Sequence, residues 1–111
     1  MFLILQKDPK KWRIRHLISS QLESLSRLYD PEITFKYIFP IALKLCNDNV
    51  SDVRETAALN ILAVVYRMAH EEDYKIMAIE SIKGFGVSEK FVQRQTFARI
   101  VSTLSEYKQF E

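Results

Sequence analysis

The sequence predicts an all-α fold, an α-solenoid of about two and a half to three stacked antiparallel helix pairs. Three observations carry that expectation. Arg15, Arg54 and Arg94 recur 39 and then 40 residues apart, each early in an apolar-patterned stretch of helix length, and a period near 40 marks a two-helix repeat. Apolar residues make up 48% of the 111, against only 2 glycines and 3 prolines, and so few turn formers favour long helices over many short strands. With the arginines aligned, their surroundings fall into register. Three positions on stand Ile18, Ala57 and Phe97, and four on the small Ser19, Ala58 and Ala98. Seven on stand Leu22, Ile61 and Val101, and ten on Leu25, Val64 and Leu104. Offsets of three, seven and ten draw one stripe down a helix.

These stripes define three inner helices, expected at 11–29, 51–69 and 89–106. Small residues at the fourth position let a neighbouring helix approach closely. An outer helix is expected over 31–46, with Asp30 as N-cap and Pro31 in the first turn, and an apolar face of Ile38, Ile41, Ala42 and Leu45. Pro40 falls inside it and predicts a kink, because proline removes a backbone donor and its ring clashes one turn back. A second outer helix is expected over 73–83, with Met77, Ile79 and Ile82 inward and Gly84 as a left-handed stop. The turns between outer and inner helices fall at 7–10, 47–50 and 85–88, with Ser51 and Ser88 as N-caps. The chain thus divides into repeats at 1–29, 30–69 and 70–106, one segment with no flexible linker. Residues 1–6 read as the end of an outer helix and 106–111 as the start of a further repeat, so a piece of a longer solenoid is expected.

The formal charge of +2 is too small to imply nucleic-acid binding by itself. Cys46 is the single cysteine, set in an apolar run, and reads as a small buried thiol in a reducing compartment. The opening 1–5 is apolar but too short for a signal peptide and lacks a basic flank, and the run 61–66 is too short to cross a bilayer. A cytoplasmic or nuclear protein is the expectation, with no membrane partner.

The stretch Asp48-x-Val50-x-x-Val53-Arg54, followed by Ala57 and Ala58, resembles the HEAT repeat. Trp12-Arg13-Ile14-Arg15, Pro40-Ile41-Ala42-Leu43-x-Leu45-Cys46 and Phe85-Gly86 with Arg94-Gln95-x-Phe97 extend the likeness. Together they resemble the HEAT-repeat regulatory and scaffold subunits of type 2A-like serine/threonine phosphatases. The likeness spans Trp12 to about Leu104, most of this chain but a small part of such a subunit. It implies a non-catalytic scaffold without cofactor, whose partner is a phosphatase catalytic subunit, with that enzyme's substrates beyond it. It also implies that the partner docks on the ridge of turns between outer and inner helices. Trp12 and Arg13 match the docking pair, with Lys10 and Lys11 beside them. Asp8, Arg15, Asp48, Arg54 and Arg94 match a ladder of hydrogen bonds between successive repeats. The pattern departs at both ends: Asp8 stands seven residues before Arg15 instead of six, and Ser88 takes the third aspartate position.

Local physics bears on the same residues. Lys7, Lys10, Lys11, Arg13 and Arg15 crowd the start of an inner helix, where the macrodipole is positive and each cation costs about 0.3–1 kcal/mol. An acidic partner surface would offset that cost, and an exposed Trp beside Arg is a typical hot-spot pair. The competing reading is a solvated basic turn with Trp12 packed on the neighbouring repeat. Catalysis has little support. His70-Glu71-Glu72-Asp73 is the one dense group of metal-ligand types, but consecutive helical residues diverge, and the HExxH spacing is missing. Nucleic acid along 7–16 is a further alternative, weakened by Asp52, Glu55 and Glu89 on the equivalent inner helices. A generic adapter solenoid is the third, and its repeated Asn or Trp would have to be supplied by Asn60 and Trp12, at non-equivalent positions.

Overall fold

A computed structural model describes residues 11–109, giving the backbone alone for 105–109. Among the described residues every regular element is helical. The first inner helix is broken in two, α1 (Trp12–Ser20) and α2 (Leu22–Arg27), where the stripe predicts one helix. The break falls at Gln21, with φ −101° and ψ 3°. Its N–H is shared between the carbonyls of Leu17 (3.2 Å) and Ile18 (3.0 Å), while the Ser20 hydroxyl donates to Leu17 O at 2.7 Å. A serine hydroxyl that competes with the backbone for a helix carbonyl, as Ser20 does here, is a known cause of such bends.

The outer helix of the second pair begins as expected. Asp30 caps it by accepting from the Ile33 N–H at 2.9 Å, and Pro31 sits in the first turn of α3 (Pro31–Ile33). A π-helical stretch, Thr34–Ile38, follows, then α4 (Phe39–Leu45). The wide turn ends just before Pro40, which lies in the first turn of α4. The expected kink is thus taken up as a π-bulge, which frees proline from a donor it lacks. The buried face is Ile38, Phe39, Ala42 and Leu45, with Ile41 half-buried.

The second inner helix, α5 (Ser51–Met68), lies at the centre and packs on α1, α2 and α4 as well as on both later helices. Its Val53, Ala57, Ala58, Ile61, Val64 and Met68 are fully buried. Its N-cap is Val50 in extended backbone without a side-chain cap, so Ser51 does not cap the helix. The second outer helix, α6 (Glu72–Gly86), runs through Gly84 without a left-handed residue, correcting the expected stop. The reason for a glycine lies at Gly86, where a Cβ would come within 2.9 Å of the Phe97 ring. The inward stripe of α6 is Tyr74, Ala78, Ile82 and Phe85; Met77 and Ile79, expected inside, are exposed beside it. Tyr74 reaches back to the preceding outer helix and stacks on Phe35 at 4.4 Å.

The last helix, α7 (Phe91–Gln109), packs on α5 and α6. It buries Thr96, Ile100 and Thr103, while Ala98, Val101 and Leu104 of the predicted stripe are exposed. Val101 and Leu104 instead line an apolar groove shared with α5 and α6. Helix continues through Gln109, so a new repeat does not begin at 106. No helix among the described residues is long and apolar enough to cross a membrane.

Candidate functional site: the ridge of turns

Two turns on one side of the molecule are each closed by a network of polar contacts: 47–50 between α4 and α5, and 87–90 between α6 and α7. Asp48 and Ser88 occupy equivalent places in them. Asp48 Oδ1 accepts from the Val50 N–H at 2.9 Å, and Ser88 Oγ accepts from the Lys90 N–H at 3.1 Å. Six residues on, Arg54 donates to the Asp48 carbonyl and Arg94 to the Ser88 carbonyl, both at 2.8 Å. The arginines at these two repeats therefore brace their own turns from the first turn of the following helix. The second expected cap, Ser88, holds the turn two residues ahead and leaves α7 to start at Phe91, later than the pattern predicts.

Arg15 does something else. It is 2% exposed and grips the Asp48 carboxylate of the next repeat with two donors, Nε at 2.6 Å and a terminal nitrogen at 3.2 Å. A buried bidentate pair of this kind fixes geometry as well as energy. Arg54, the next rung, has no carboxylate to reach, because Ser88 stands where the aspartate would be, and it bonds the carbonyls of Asp48 and Asn49 (3.1 Å) instead. Asp8 and Lys10 lie outside the described residues.

Of the expected docking residues, Lys11 and Arg13 are exposed at the start of α1. Trp12 is half-buried and packed against the core. Its ring meets His16 edge-on at 6.4 Å, and His16 Nε2 lies 3.0 Å from Thr56 Oγ1 of the neighbouring inner helix. The Arg13 guanidinium sits 5.3 Å from the Trp12 ring centroid, a cation–π distance. The structure thus joins Trp12 and Arg13 into one unit with a packed half and a solvent-facing half.

Two features escaped the sequence reading. Arg67, near the end of α5, donates to the carbonyls of Ser26 and Tyr29, both at 3.1 Å, and closes the C-terminal end of α2. An arginine offers no signal of which carbonyls it will find. Phe91 stands three residues before Arg94, as Trp12 stands three before Arg15; aligning the repeats on the residues before the arginine would have found it. Phe91 is 67% exposed, with the Arg94 guanidinium 5.8 Å from its ring centroid.

Other candidates carry less chemistry. His70, Glu71, Glu72 and Asp73 are exposed around the turn into α6. Cys46 is buried, and desolvation pushes its thiol up to about 12, which keeps it protonated and unreactive near neutral pH. An apolar groove of about 480 Å³ lies at the end away from the ridge, lined by Leu62, Tyr66, Ile79, Phe97 and Leu104 among others.

No protein-family profile matches the chain, and no solved structure matches it. Three curated relatives do. The chain is 33% identical over 102 residues to serine/threonine-protein phosphatase 4 regulatory subunit 1 of Rattus norvegicus. It is 32% identical over the same length to the subunits of Homo sapiens and Mus musculus. Each match covers 89% of this chain but only 11% of the relative. Over nearly all of its length, then, the chain is similar to one short stretch of phosphatase 4 regulatory subunit 1.

Proposed function

We propose that this chain is a HEAT-repeat segment of a non-catalytic scaffold that holds a serine/threonine phosphatase catalytic subunit and helps direct it to substrates. The similarity to phosphatase 4 regulatory subunit 1 over 102 residues carries the reading, and the ridge gives it a physical form. Arg15 fastens the start of α1, with Lys11 and Arg13, to Asp48, and Arg94 holds the turn before Phe91, so a partner meets a surface with little left to order. Such a scaffold acts by positioning and effective concentration. The free, buried Cys46 suits the reducing cytoplasm or nucleus.

The test is capture of purified phosphatase 4 catalytic subunit by this chain, with the double variant Trp12→Ala, Arg13→Ala beside it. Arg13→Glu serves as a second variant, because it leaves the packed indole in place. The reading expects wild-type capture and about a tenfold loss in Arg13→Glu, with helicity by circular dichroism unchanged. Capture that fails in the wild type, alongside a salt-dependent shift of DNA or RNA, would favour the nucleic-acid alternative. Exposed Asp52, Glu55 and Glu89 on the same ridge speak against that outcome.

A further inference from the structure

We draw no further inference here: the strongest candidate, the apolar groove of about 480 Å³ among α5, α6 and α7, is an unpartnered apolar face at the last described helix pair, and nothing in the structure shows what covers it.

Discussion

The junction of α1–α2 with α5 and the junction of α5 with α7 join equivalent inner helices by different chemistry. The first is clamped at both ends. Arg15 and Asp48 close the ridge end with side chains only 3% and 6% exposed, and Arg67 closes the far end on two carbonyls. The second relies on neutral or solvated contacts: Gln93 to Asn47 at 2.9 Å, Thr96 to the Cys46 carbonyl at 3.5 Å, and Arg99 to Glu55 at 3.4 Å with both side chains half-exposed. One change explains much of the difference. Ser88 in place of an aspartate gives Arg54 no carboxylate across the junction, and the arginine turns back on its own turn. In stacked repeats stability is local to each interface, so the two junctions should respond unequally to substitution.

The largest effect is expected at Asp48. Asp48→Ala takes the carboxylate from a buried arginine, and removing one partner of such a pair costs about 3–5 kcal/mol, to be read from the midpoint of urea unfolding. Arg67→Ala comes next. It strips two charge-assisted bonds from the end of α2, for a loss of about 1.5–3 kcal/mol, and amide exchange should quicken first in 22–27. The smallest is at the second junction, where Gln93→Ala and Arg99→Ala should each cost no more than about 1 kcal/mol. Equal losses at Asp48 and Gln93 would erase the contrast between the junctions.

The stripe of small and apolar residues placed the inner helices within a few residues, because 3.6-residue periodicity is written directly in sequence. Asp30 and Pro31 marked a helix start for the same reason: a cap acts within three residues of itself. What stayed hidden was set by distant partners. The HEAT-like pattern anticipated the rung from Arg15 to Asp48 of the next repeat, but not that Arg54 folds back on the carbonyls of its own turn. The π-bulge before Pro40 and the break at Gln21 depend on how freed carbonyls are re-satisfied, which periodicity does not encode. At the ridge, Trp12 and Arg13 were legible as a motif, but the half-burial of the indole and the exposure of Phe91 follow from packing. Gly84 misled because either glycine near a helix end reads as a stop; only the ring of Phe97 distinguishes Gly86.

That last contact has a mechanical meaning. The α6 and α7 helices touch where the Phe97 ring lies against Gly86, and the same ring forms part of the wall of the apolar groove among α5, α6 and α7. The missing methyl group at Gly86 therefore lets a groove-lining ring sit where a larger residue would displace it.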